Sequence, residues 1–340
     1  MRILFASKPH LPLVGGAQLT THWLAAELVH RGHAVAVFSP QPPHAPRGPS
    51  ADERLGYLTL RSSTPTRDLP AVLESFRPDL VVVGGYHALT LRWAAAMLTG
   101  SAHLPTVLYL HDVGATPLVS ESELRIDRLA AVSAFVAEEA ERERPGARVA
   151  RIPPIVDSRK YHVASSRRTA LFVNPVPAKG LETAIALVRA RPDVPFAFAR
   201  CWRIAPAELR ALRSDLQPLP NVGLRDPVMS PARLYGDARV LLVPSRYPEA
   251  WGRVASEAQA SRIPVVAAAT GGLREAVGRG GILVDSGAGL DDWLDAFSRV
   301  WDDRAAHVRY AAHAAAHAER PDIRPETVAE RFESLAGALL

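Results

Sequence analysis

Two glutamates, Glu249 and Glu257, stand eight positions apart in the segment PSRYPEAWGRVASE, which runs from Pro244 to Glu257. The run before it, Val240-Leu241-Leu242-Val243, is short, apolar and closed by a proline, the pattern of a buried parallel strand. Strand, glycine-containing turn and helix start therefore follow in order, with one glutamate in the turn and the other in the helix. Amide N–H groups at a helix start are free and carry partial positive charge, so such a turn is a seat for the phosphates of a nucleotide. A carboxylate beside it can grip hydroxyls.

Three further loops carry polar groups at strand ends. In NPVPAKG, Asn174 to Gly180, Lys179 would present an ammonium where a diphosphate could lie; a solvated surface lysine is the plainer reading. In SKPHLPLVGGAQ, Gly15 and Gly16 lead into a helix and would let a backbone without Cβ approach a phosphate or sugar, or serve only a tight turn. His111-Asp112 follows the strand TVLYL, where a histidine could donate a hydrogen bond to a sugar hydroxyl or be capped locally. His313 and His317 have a metal-ligand spacing but no accompanying glutamate, and the alanines around them predict an exposed helix without metal. His30 and His33 flank Gly32 and read as a helix terminus. The chain has no P-loop, no GxSxG elbow, no GxGxxG after the first strand and no strand ending in Asp-x-Asp to hold a divalent ion on a diphosphate. Charge neutralisation then falls to protein groups, and no metal or cofactor is expected.

These loops need rigid elements behind them. Strands alternate with helices from Arg2 to about Arg144, including a helix expected at Thr90 to Leu98, and the rhythm restarts at Ala170 after a proline- and serine-containing linker, Arg151 to Ser166. Alternation of this kind predicts parallel sheets covered on both faces, so the chain reads as α/β with two doubly wound domains, residues 1–157 and 158–325, and a C-terminal helix over 326–340. Ligands in such sheets sit beyond the carboxyl ends of the strands, where all the loops above are placed.

Composition sets outer limits. The 340 residues suffice for two cores, and 48% hydrophobic with 22% charged residues is ordinary for a globular chain. The net charge of +5, from 40 basic and 35 acidic residues, is spread without a basic block or interleaved aromatics, which argues against nucleic-acid binding. One cysteine, Cys201, excludes an internal disulfide framework and fits a cytoplasmic location. The opening MRILFAS enters a strand pattern directly and no apolar stretch reaches spanning length, so neither secretion nor a membrane span is expected, although the mild positive charge leaves peripheral membrane contact open.

Taken together, LVHRGHAVAVFSP, RLAAVSAFVAEEAER, RIPPIVDSRKY, NPVPAKGLE, NVGLRDPV, VLLVPSRYPEAWGRVASEAQA and IPVVAAATGGLREAV resemble, in order, the segments of the retaining GT4 glycosyltransferases of GT-B fold. The resemblance covers nearly the whole chain, and its specific part is the paired-glutamate block. It implies two Rossmann-like domains facing across a cleft, a C-terminal helix returning to the first, and a nucleotide-sugar donor. It also implies that Lys179 contacts the diphosphate, Glu257 the ribose and Glu249 the donor sugar hydroxyls. The amides of Ala250, Trp251, Gly252, Arg253 and Val254 would cover sugar and phosphates. Gly16, beside Gly15, would approach the diphosphate, His111 the reacting sugar, and Val228 the base. Three departures stand out. Asn174 replaces an arginine that usually partners the lysine, with Arg253 or Arg203 as possible substitutes; Arg200-Cys201-Trp202 replaces a glycine-rich turn; Trp251 replaces a phenylalanine and would narrow the sugar pocket.

The implied reaction is metal-independent transfer with retention, from a nucleotide sugar to a hydroxyl of a small polar acceptor bound by first-domain loops. The alternatives are a lipid-linked or polysaccharide acceptor, a nucleotide-sugar epimerase, and a non-catalytic nucleotide-sugar binder on the same fold.

Overall fold

Runs of Val, Leu, Ile, Ala and Phe with no polar face become strands covered on both sides, and this governs the central strands of both sheets of the computed structural model, which describes residues 1–7, 9–41, 50–85, 104–114, 126–202, 204–227 and 230–340. The helix expected at 90–98, together with Val228 and Arg203, lies outside the described residues. The chain divides into two units: Met1–Ile155 with Asp322–Leu340, and Val156–Pro321.

In the first unit, β1 (Arg2–Ala6) lies between β2 (Ala34–Pro40) and β5 (Leu80–Gly85), all parallel. The eight-stranded sheet is completed by β3 (Ser50–Asp52), β4 (Leu58–Ser62), β6 (Thr106–Leu110), β7 (Arg128–Ala131) and β8 (Val149–Arg151), in the order β3-β4-β2-β1-β5-β6-β7-β8. Strand order reverses beside β1, so the loop after it, leading into α1 (Gly16–His30), opens at a topological switch point. One expectation is corrected: the sheet is not wholly parallel, because β3 pairs antiparallel with β4 at the edge. Strand β4 escaped the apolar pattern because its fully covered positions are Thr59 and Ser62.

The last helix of the described chain, which starts at Pro325 and ends at Gly337, belongs to this first unit and packs on α1. Phe332 stacks on Phe5 with ring centroids 6.1 Å apart. Next to it, Glu333 accepts hydrogen bonds from Arg31 Nη2 at 2.7 Å and from His33 Nε2 at 2.8 Å. The bond from Arg31 outweighs partial burial, and with His33 it holds the Glu333 carboxyl down at about 2 against an ordinary 4.5. A carboxyl depressed in the folded state stabilises above its ordinary value and loses that contribution as pH falls toward its folded value. The melting-temperature gap between wild type and Glu333→Gln is therefore expected to be widest near neutrality and to close as pH falls from 4.5 toward 2. A gap that does not change with pH would show that Glu333 acts only through packing.

Among the described residues the second unit holds six parallel strands: β9 (Thr169–Val173), β10 (Phe196–Ala199), β11 (Val222–Arg225), β12 (Ala238–Val243), β13 (Val265–Ala268) and β14 (Gly281–Val284), in the order β11-β10-β9-β12-β13-β14. Phe172 and Phe198 meet edge to face at 5.0 Å within its core, and Phe196 stacks on Phe297 at 5.8 Å. The helix Arg304–Ala318 corrects a second expectation. It is not a free surface helix: Ala306, Ala311, Ala314 and Ala318 are buried, and His317 lies 2.9 Å from the Glu275 carbonyl through Nε2. Its alanines form a flat face that lets neighbours approach closely. In this unit the order reverses between β9 and β12, and the loops after those two strands carry Lys179 and Glu249.

Candidate functional site

The loop after β9 is short and sharply bent. Asn174 takes a left-handed backbone (φ 58°), a conformation that asparagine tolerates better than most residues, and a 3-10 turn, Pro177–Lys179, follows. Gly180 (φ 84°) then starts the helix Leu181–Ala190; a Cβ there would fall 1.8 Å from the Pro244 carbonyl oxygen, so this position needs glycine. The carbonyl of Ala178 accepts hydrogen bonds from Arg246 N at 3.1 Å and Tyr247 N at 3.3 Å. The β9 and β12 loops are thus fastened backbone to backbone before any side chain is considered.

Lys179 and Glu249 meet across this seam. Lys179 Nζ donates to Glu249 Oε1 at 2.5 Å, and Ser245 Oγ donates to the same oxygen at 2.6 Å. Both side chains keep a window to solvent, 21% for lysine and 15% for glutamate. Beneath Glu249 the loop after β13 supports the main chain: Gly272 N donates to the Glu249 carbonyl at 2.7 Å, and a Cβ on Gly271 would come within 2.3 Å of that carbonyl oxygen.

Ala250, Trp251 and Gly252 lead into the helix Arg253–Ala260, which begins on Gly252 (φ 99°) with no side-chain cap, so its first amides remain available to an anion. Val254 lies in that first turn. Trp251 departs from its expected place at a sugar pocket. Its ring is buried, its indole N–H donates to Ser256 Oγ at 3.2 Å, and Arg320 sits 5.5 Å from the ring. A large apolar ring with its one donor satisfied internally belongs to the core.

Glu257 and Arg253, both buried, face each other one helical turn apart. Glu257 Oε1 accepts from Arg253 Nε at 3.2 Å, Oε2 accepts from Tyr235 Oη at 3.0 Å, and Arg253 Nη2 donates to Tyr161 Oη at 3.2 Å. Burial works against the Arg253 charge, but Tyr161 and Glu257 outweigh it and raise its pKa. Burial and the Glu257 charge push the Tyr235 phenol well up, and the same two causes lift the Cys201 thiol to about 11. Arg253 is therefore engaged inside the unit, which removes it as a ready substitute for the arginine missing at Asn174. The Asn174 carboxamide also works locally, because its Oδ1 accepts from Cys201 N at 2.8 Å and Trp202 N at 3.0 Å and so fixes the turn after β10. The sequence pattern registers only the lost charge at this position. The left-handed backbone and the double amide cap arise only in the folded loop.

On the first unit, Gly15 is the N-cap of α1 and Gly16 its first residue, again with no side-chain cap. His111 follows β6, its ring 4.1 Å from that of Tyr109, whose hydroxyl donates to the Ile152 carbonyl at 2.5 Å. His111 directly follows the carboxyl end of β6, while Gly15 and Gly16 lie where the connection from β1 enters α1. Sequence reasoning missed a cluster nearby in the chain: the Tyr57 hydroxyl lies 2.8 Å from both His10 Nε2 and His22 Nδ1. Burial, with the charges of His22 and Arg61, lowers His10 to about 3, so it is neutral at physiological pH.

A family model described as glycosyltransferase family 4 matches residues 14–160, and one described as glycosyl transferases group 1 matches residues 167–303. Among curated proteins, the D-inositol 3-phosphate glycosyltransferase of Pseudarthrobacter chlorophenolicus is 36% identical over 172 residues, 48% of this chain and 40% of that protein. The protein of that name from Kribbella flavida is 42% identical over 106 residues, 31% of this chain and 23% of its own length. The match thus spans two-fifths or less of these relatives. Among solved structures, sucrose-phosphate synthase from Thermosynechococcus elongatus superposes with a TM-score of 0.78 at 18% identity, covering 100% of this chain and 99% of that one. HepE of Anabaena, in complex with UDP-glucose, gives 0.76 at 18% identity with 99% of each chain covered. At such identities the likeness speaks for the fold, which is GT-B.

Proposed function

Because the chain belongs to the family 4 glycosyltransferases, we propose that it moves a sugar from a nucleotide-diphosphate sugar to a hydroxyl of a small polar acceptor, with retention at the anomeric carbon and without a metal ion. The observation that carries this reading is the meeting of Lys179 and Glu249 at the switch point of the second sheet, beside the uncapped start of the helix Arg253–Ala260. The lysine supplies the positive charge that a departing diphosphate needs, and the helix amides add partial charge on the same side.

In the reaction the bond from the anomeric carbon to phosphate oxygen breaks, the acceptor oxygen attacks from the same face, and its proton passes to the leaving phosphate. Glu249 is assigned to sugar hydroxyls. A carboxylate oxygen that already accepts from Lys179 and Ser245 is a poor nucleophile, which fits a ligand better than a covalent catalyst. Glu257 is assigned to the ribose. From the first unit, His111 is assigned to the reacting sugar, and Gly15 and Gly16 to the diphosphate. HepE holds UDP-glucose and the curated relatives are named for D-inositol 3-phosphate, a small polyol phosphate, so both compounds are the first to try. No described helix is long and apolar enough to cross a membrane.

A thermal-shift series with UDP, GDP, ADP, dTDP and CMP and their sugar conjugates tests the donor. One nucleotide class is expected to raise the melting temperature, by an amount equivalent to about 2.7 kcal/mol at a hundredfold excess over Kd. That shift should vanish in Lys179→Ala. The anomeric configuration of the product, read by NMR, then tests retention. No shift with any nucleotide, or an inverted product, overturns the reading.

A further inference from the structure

We propose that Trp202 is a stacking platform for the nucleobase of the donor; this rests on the donor site proposed for the second unit. The residue is 36% exposed, an unusual state for a tryptophan, while its backbone is firmly held. The Trp202 amide donates to the Asn174 side chain, which is itself turned into place by a left-handed backbone. An exposed ring on a fixed main chain offers a flat apolar face at little conformational cost on binding.

The sheet order says which part of a donor that face would meet. Along the carboxyl edge of the second sheet the loops follow the strands: the β13 loop under Glu249, the β12 loop with Glu249 itself, the β9 loop with Lys179, the β10 loop with Trp202, and then the β11 loop with Asp226. Glu249, the sugar ligand, lies on one side of the lysine. Trp202 lies on the other, its ring centroid 5.2 Å from Lys179 Nζ. A nucleotide sugar is ordered sugar, diphosphate, nucleoside, so a diphosphate on Lys179 with the sugar toward Glu249 sends the nucleoside toward Trp202. Two residues earlier in the same loop, Arg200 Nη2 donates to Asp226 Oδ1 at 2.8 Å and ties the β10 and β11 loops together. The ammonium of Lys179 lies over the indole face as a cation–π partner. When that ammonium turns to phosphate, the face is released for a base, and every base has a π-face to stack.

Titration calorimetry of wild type, Trp202→Ala and Trp202→Phe separates the possibilities, with UDP, GDP and ADP as nucleotide probes and inorganic pyrophosphate as a probe lacking a base. Trp202→Ala is expected to weaken the nucleotide that wild type binds by about tenfold or more, in the range of a base–aromatic stack, and to leave pyrophosphate unchanged. Trp202→Phe should keep most of the affinity. Equal losses for nucleotide and pyrophosphate in Trp202→Ala would make the ring only a support for Lys179 and overturn the proposal, as would no loss at all. If wild type binds pyrophosphate but none of the nucleotides, the donor reading itself falls, an outcome distinct from either. Melting temperatures within a degree or two of wild type would confirm that the exposed ring can be replaced without unfolding.

Discussion

Glu249→Gln is expected to lower kcat by roughly 10²–10³-fold while leaving nucleoside diphosphate affinity equal to or better than that of wild type. The carboxamide keeps the size of the side chain and an oxygen that can accept from Ser245, but it withdraws the negative charge from Lys179. Sugar hydroxyls lose an ionic acceptor, which weakens the orientation of the reacting carbon. Lys179 meanwhile loses the partner that competes with phosphate. The pair is only partly buried, so the folded state should lose about 1 kcal/mol or less. Steady-state kinetics, with nucleotide titration on the same preparation, gives both numbers. Unchanged kcat would remove Glu249 from the chemistry, and a large loss of melting temperature would make it a structural residue instead.

The second glutamate should behave in the opposite way. Glu257→Ala is expected to destabilise the second unit by about 3–5 kcal/mol, because it leaves the buried Arg253 guanidinium without its carboxylate and the buried Tyr235 hydroxyl without its acceptor. Replacing both members of the ion pair, Arg253→Met with Glu257→Leu, should recover much of that loss, since apolar groups of similar size carry no uncompensated charge. Urea unfolding midpoints of the single and double variants decide this. An Ala variant as stable as wild type would mean that the pair contributes nothing to the fold. The structural duty does not displace the assignment to ribose: each carboxylate oxygen can accept more than one hydrogen bond, so Glu257 can serve Arg253, Tyr235 and a ribose hydroxyl together. It does mean that activity lost in Glu257→Ala is not evidence of ligand contact unless stability is measured alongside.

The contrast between the two glutamates marks where sequence reading succeeds. Strand β12, its closing Pro244 and the helix start at Arg253 were legible because an apolar run, a proline and a glycine act locally, each through its own backbone preference. Lys179 and Glu249 were placed correctly at strand ends for the same reason. What depends on packing was not legible. Trp251 and Trp202 are both tryptophans in loops of this unit, yet one is enclosed and the other open, and only the neighbours Ser256 and Asn174 explain why. Arg253 looked like a spare cation until Glu257 and Tyr161 were seen around it. The alanine-rich helix Arg304–Ala318 looked exposed because small apolar residues give weak periodicity, whatever they pack against. Strand β4 was lost because Thr59 and Ser62 occupy its covered positions.

On the proposed function, the resident bond between Lys179 and Glu249 would bear on the end of the catalytic cycle as well as on its start. A lysine with no counterion would release a spent nucleotide only at the full expense of leaving its charge bare. On that reading, the carboxylate 2.5 Å away would reclaim it, so departure would be an exchange of one anion for another. The same exchange would run in reverse each time a fresh donor arrived, weakening capture by whatever it lends to release. With the proposed function, such a pair would trade tenacity for turnover, with product inhibition set by how well a glutamate competes with a diphosphate.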